Sequence, residues 1–226
     1  MTIPETAADS DPAKIIRTAI SDPAFPCVGA KSALATGMLE VFAARDITSG
    51  WNDVAIHDAL LEWAWRYRDD GQGLRSLVVT FDGPLDLDEE AFEKAMWQRL
   101  QSLADKDMWR GQTYDSSVSA DPDSPKFSLS FGGQAFFVVG LHPRASRPAR
   151  RSAVPALVFN LHDQFVKLRE EGRYERMREA IVARDVALAG SANPMLARHG
   201  EASEARQYSG REVDADWRCP FKDRRA

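Results

Sequence analysis

Apolar positions along the chain follow two rhythms: a helical spacing of about three to four residues, and short unbroken runs typical of buried strands. Residues 1–22 mix acidic, small and apolar types and predict a frayed start followed by a short helix. FPCVGAKSAL, residues 25–34, leads through a Gly/Pro turn into a helical stretch, with Leu34, Met38, Leu39 and Phe42 at helical spacing. Residues 51–70 form an amphipathic helix that Asn52 or Asp53 can cap and Gly71 can end. A long helix over 86–109 starts with acidic residues that suit the positive end of its dipole. Apolar runs at 74–83 and 154–160 read as strands, and KFSLSFGGQAFFVVGL, residues 126–141, as a hairpin turned by Gly132 and Gly133. After 160 come one or two helices punctuated by Gly172.

Two stretches lack periodicity. Residues 112–125 are rich in Pro, Ser and Asp, which predicts mobility rather than packing. Residues 191–226 are also irregular, but Trp217, Pro220 and Phe221 give them apolar anchors, so an ordered wrap over the core is expected. The fold class is α+β: a single domain over residues 1–226 with a small, mostly antiparallel sheet, several helices and a long ordered C-terminal coil. No internal repeat or domain boundary is visible.

At 226 residues and 44% apolar content the chain can bury a sizeable core unaided. A net charge of -5 argues against a general nucleic-acid binder. The two cysteines, Cys27 and Cys219, lie far apart, and no signal-peptide pattern or long apolar run is present. A soluble, cytoplasmic protein without a membrane partner is expected. A Cys27–Cys219 disulfide stays open, though intracellular thiols are usually free.

The densest chemistry lies in FFVVGLHPRASRPARR, residues 136–151. Pro143 cannot continue a strand ladder, which puts His142 at the strand's end, where it is expected to face a cleft. Arg144, Arg147, Arg150 and Arg151 then follow closely. Permanently charged planar forks so near one another repel, and a ligand bearing carboxylates or phosphates would hold them together. A heme with its propionates, a phosphorylated ligand or nucleic acid all fit; a solvated basic loop is the competing reading. His57, inside a helix, reads as a surface or satisfied-core residue rather than a ligand.

The motifs FPCVGAK, GLHPRASRPARR, FNLHDQF, GSANPML, EARQYSGR and WRCPF, spread from Phe25 to Phe221, together resemble the YqcI/YcgG family. That resemblance implies a heme b protein similar to heme-dependent N-hydroxylases of guanidine groups, as in guanitoxin biosynthesis, and to arginine N-hydroxylases. It implies an axial ligand drawn from His142 and His162, with Cys219 as the thiolate candidate. Asn160, Asp163 and Gln164 stand near enough in sequence to orient His162. Arg144, Arg147, Arg150 and Arg151 become the propionate partners, and Arg206, Tyr208 and Arg211 join the polar residues of the site. Glu204 is the carboxylate expected to hold a guanidinium. His142, His162 and Glu204 are thus the catalytic candidates. The implied partners are a small guanidine-bearing substrate and an electron-donor protein. Two other functions remain open: a non-catalytic heme-binding or sensing protein, and a module for anionic ligands without iron.

Overall fold

The computed structural model describes residues 11–68, 73–196 and 201–225. Five strands form one sheet in the order β1-β2-β5-β4-β3. β1 (Leu39–Asp46) runs parallel to β2 (Ser76–Gly83), and α3 (Asp53–Arg66) makes the crossover between them. The other pairings, β2 with β5 (Ala156–Leu161), β5 with β4 (Gln134–Leu141) and β4 with β3 (Leu129–Phe131), are antiparallel. The sheet is therefore mostly antiparallel, with one parallel edge. Gly132 and Gly133, at φ 59° and 73°, form the hairpin turn, a conformation costly for residues with a Cβ.

β1 departs from the helical reading of Met38, Leu39 and Phe42. α2 (Val28–Ala35) stops before Gly37, and the chain continues as a strand paired with β2 from Leu39 onward. Met38 and Phe42 then pack on one face of the sheet and Leu39 and Val41 on the other. A spacing of four suits a helix and a strand equally, and the pairing with β2 decides between them.

The two faces are covered unequally. On one, Leu77, Val79, Phe81, Phe136, Val138 and Phe159 meet α3 and α4 (Glu89–Trp109), which brings Phe92, Met96, Trp97 and Leu100 into a dry aromatic core. On the other, α1 (Pro12–Ser21) and α2 cover Leu39, Val78 and Ala156 through Ile16, Ile20 and Ala33. α5 (His162–Glu170) and α6 (Tyr174–Ala189) complete this side. Asp185 is the buried residue of α6, so this helix stands off the sheet and leaves space beneath it.

The 112–125 loop, expected to be mobile, is stitched down. Tyr114 donates to the Ser128 carbonyl at 2.5 Å, and Asp115 accepts the Ala135 and Ser117 N–H groups, both at 2.9 Å. A polar composition packs well once its polar atoms find partners.

The C-terminal segment wraps as expected. α7 (Ala205–Tyr208) stacks Tyr208 on Trp97 with centroids 5.7 Å apart, and Phe221 packs beside both Trp97 and Phe127. Further on, Arg225 reaches the fully buried Asp107 at 2.6 Å. Asp107 also accepts the Gly132 N–H at 3.0 Å and meets His57 Nε2 at 2.7 Å. Arg110 donates to His57 Nδ1 at 2.9 Å, which places the imidazole proton on Nε2, facing Asp107. His57 is thus a satisfied core residue. Among the described residues no helix is long and apolar enough to cross a membrane.

Removing Arg225 takes a charged partner from a buried carboxylate. Arg225→Ala should lower the unfolding free energy in urea by about 2–3 kcal/mol. Arg224→Ala should change it by less than about 1 kcal/mol, because Arg224 is 60% exposed in its pair with Asp105. Equal losses would show that the Asp107 cluster does not secure the tail.

Candidate functional site

The space under α6 is a cleft of about 290 Å³ that opens to solvent. Phe137, Val139 and Val158 of β4 and β5 form its floor, Phe25 and Ala30 one side, and Phe165, Met177, Ile181 and Val182 the other. Polar groups interrupt these apolar walls in two places. In one, Ser76 donates to Asn160 at 2.7 Å and the Arg75 N–H to Gln164 at 2.8 Å. In the other stand Arg147, Arg150, Asp185, Glu204 and Gln207.

Cys27, the N-cap of α2, also lines the cleft. Its sulfur accepts the Ala30 N–H at 3.4 Å. Burial pushes this thiol up, while the Ala30 and Gly29 amides and the positive charge of Arg150 oppose that rise. The helix amides and the guanidinium moderate that rise without overcoming it, so the thiol keeps its proton more firmly than an ordinary cysteine.

Arg150 is itself a half-buried cation. Burial pulls its guanidinium down to about 10, and Asp185 and Cys27 pull it back up. It donates to the carbonyls of Gly140 at 3.3 Å, Tyr208 at 3.3 Å and Gln207 at 2.8 Å. Gly210 permits the approach: its φ is 84°, and a Cβ there would stand 2.8 Å from Arg150 Cγ. The glycine of the EARQYSGR motif therefore has a steric reason.

The other arginines of the loop do not converge on one point. Arg147 grips Asp185 through Nε at 3.0 Å and through Nη2, which also donates to the Ser191 carbonyl at 2.8 Å. Arg144, exposed, donates to the Asp86 carbonyl, and Arg151 braces its own loop through Ala145 and Ser146. Arg206 holds tail carbonyls of Val213, Asp214 and Trp217, and Arg211 pairs with Glu93 at 2.9 Å on the α4 side. The Tyr208 hydroxyl donates to the Phe136 carbonyl at 3.2 Å. Of the expected site residues, Arg147, Arg150 and Glu204 line the cleft. Glu204 accepts the Ser128 hydroxyl at 3.3 Å.

His142 does not face the cleft. It stacks on Phe92 with centroids 4.3 Å apart and is 1% exposed, on the α4 side of the sheet. Strand parity accounts for this, since His142 falls on the same side as Phe136 and Val138. His162 opens α5 half-buried, and it is its neighbours Asn160 and Gln164 that line the cleft. Cys219 packs against the aromatic core, its thiol pushed up to about 12 chiefly by burial. Both cysteines are free thiols, on opposite faces of the sheet. Cys27 and Asp185 were missed as site residues; a cysteine followed by a helix start was the available signal for the first.

One face of the mixed sheet is sealed, and the other carries a mostly apolar cleft with a half-buried thiol and a half-buried guanidinium. The YqcI/YcgG family model matches residues 16–222, and the chain belongs to that family. No curated protein and no solved structure matches it.

Burial holds the His142 imidazole below its ordinary value of 6.5, with Glu89 and the Leu87 backbone pulling the other way. A depressed value means that His142 contributes stability above pH 6.5 which is lost as pH falls and the unfolded chain takes the proton first. Urea unfolding at pH 7 and pH 5 should show a smaller pH-dependent loss in His142→Gln than in the unmodified chain. An unchanged loss would show that His142 takes its proton as readily in the folded chain as in the unfolded one.

Proposed function

We propose that the cleft seats heme b and that the chain is a heme-dependent oxygenase hydroxylating a guanidine nitrogen of a small molecule such as arginine or a derivative. The observation that carries this reading is the cleft itself, in a chain whose motifs resemble guanidine N-hydroxylases. Its walls are largely apolar, and it holds one cysteine sulfur close to helix amides and a half-buried cation. Among the described residues no three His, Cys, Asp or Glu side chains cluster as a metal cage. A porphyrin iron would need one donor from the chain, and Cys27 would be that donor. When bound, the iron supplies oxygen or peroxide activation and the delivery of one oxygen atom to an N–H bond; with oxygen as oxidant, two electrons come from a donor protein and the second oxygen atom leaves as water.

The chain's own residues carry the rest. Cys27 is the ligand that the cleft offers to iron, in preference to His142 and Cys219, which pack on the sheet's other face. Ligation requires it to lose its proton, and the Ala30 amide and Arg150 stabilise the charge that results. Arg169 and Arg178, on α5 and α6, are cations on the cleft wall suited to propionates. Glu204, which lines the cleft, would hold the guanidinium, and the apolar walls beside it would strengthen that pairing.

Hemin titrated into the full chain should give a saturating Soret band at about one equivalent, the occupancy of a single cleft. Cys27→Ser should remove or strongly shift that band, whereas His142→Gln and Cys219→Ala should leave it in place. A spectrum that stays that of free hemin would sink the cofactor assignment and favour an anionic-ligand module built around Arg150, which has no ion-pair partner among the described residues. Heme binding without hydroxylation of any guanidine would favour a sensor.

A further inference from the structure

Along α6, the residues that line the cleft are Tyr174, Met177, Arg178, Ile181, Val182 and Asp185. Their spacing of three and four puts them on one face of the helix. Among the described residues, neither hydrophobic core takes in any part of α6. A helix ordinarily owes its stability to an apolar stripe packed on a core. Here the apolar part of the stripe, Met177, Ile181 and Val182, faces the cleft instead.

The helix is held at its two ends. At the first it leaves α5 through a tight turn in which Gly172 has a φ of 64°, with nothing within 4 Å of the place a Cβ would take. Arg169 of α5 lies 4.3 Å from the centre of the Tyr174 ring beside that turn. At the other end Gly190 has a φ of 75° in an equally open setting. One guanidinium grips both sides of it: Arg147 donates through Nε to Asp185 at 3.0 Å and through Nη2 to the Ser191 carbonyl at 2.8 Å. The Arg147–Asp185 pair is largely withdrawn from water, each side chain 11% exposed. Arg147 belongs to the loop that follows β4, so it ties the end of α6 to the sheet.

We propose that α6 is a lid on the cleft, turning about Gly172, and that the Arg147–Asp185 pair is the catch that keeps it shut. With no core beneath the helix and an open glycine at each end, the catch sets the balance between shut and open. A ligand seated beneath Met177, Ile181 and Val182 gives that face the packing it lacks, so the lid closes more firmly on an occupied cleft than on an empty one. The inference concerns access and applies whichever ligand the cleft takes.

The two cysteines make the lid measurable. Cys27 lines the cleft and reports on its opening, whereas Cys219, packed against the aromatic core on the other face, reports on loosening of the whole fold. The full chain, free of hemin, would be treated with N-ethylmaleimide and the modification of each thiol followed by peptide mass. Asp185→Asn and Arg147→Gln should each speed the modification of Cys27 by about tenfold or more, the change in open population expected when one charge-assisted pair is lost. Cys219 should keep its rate in both variants. The two substitutions remove opposite charges, so a purely electrostatic effect on the thiol would move the rate in opposite directions. Opposite changes at Cys27, equal acceleration of both thiols, or failure of either variant to speed Cys27 would each overturn the lid. None of these outcomes depends on heme, so the cofactor assignment stands or falls on the hemin titration alone.

Discussion

A guanidinium buried in the wall of the cleft organises this side of the molecule. Withdrawing Arg150 even partly from water is costly, and the fold offsets that by giving its donors the carbonyls of Gly140, Gln207 and Tyr208. Those carbonyls belong to a sheet strand and to the returning C-terminal segment, so satisfying one cation joins two parts of the chain far apart in sequence. Gln207 and Glu204 take their places on the cleft because α7 is held there, and the same charge lies within electrostatic reach of Cys27. The cation thus helps fix the carboxylate near it, while Cys27 owes its place to the start of α2.

The unequal cover of the sheet explains why a cleft exists at all. Alternation along β2, β4 and β5 sends large aromatic and branched side chains to α3 and α4, where close packing leaves little room. The opposite face carries smaller residues and is spanned by helices that do not close over it. A ligand could complete the packing there, as cofactors commonly do in apolar pockets with a few polar groups.

Much of this architecture was legible from local patterns. The Gly132–Gly133 turn, the acidic start of α4 and the aromatic anchors of the wrap each declare themselves within a few residues. β1 did not, because Leu34, Met38 and Phe42 satisfy helical spacing and only the pairing with β2 reveals a strand. The arginine loop shows a different limit. A guanidinium fork recognises a carboxylate and a row of backbone carbonyls with the same donors, so a cluster of arginines cannot announce which it will meet. Arg144 and Arg151 met carbonyls, Arg147 met Asp185, and charge alone could not have assigned them. His142 turned on parity: one residue's shift along β4 would have put it over the cleft.

The reach of Arg225 back to Asp107 bears on how the chain is made. A polypeptide leaving the ribosome can pair β1 with β2 and lay α4 across them early, but the buried carboxylate of Asp107 then waits for a cation that is synthesised 118 residues later. Until it arrives, Gly132 and His57 are the partners that Asp107 has. Tyr208 and Phe221 likewise fill the aromatic layer only after the sheet and α4 have been made. The interior around α4 therefore stays unfinished until the segment that follows α6 has been made and has left the ribosome.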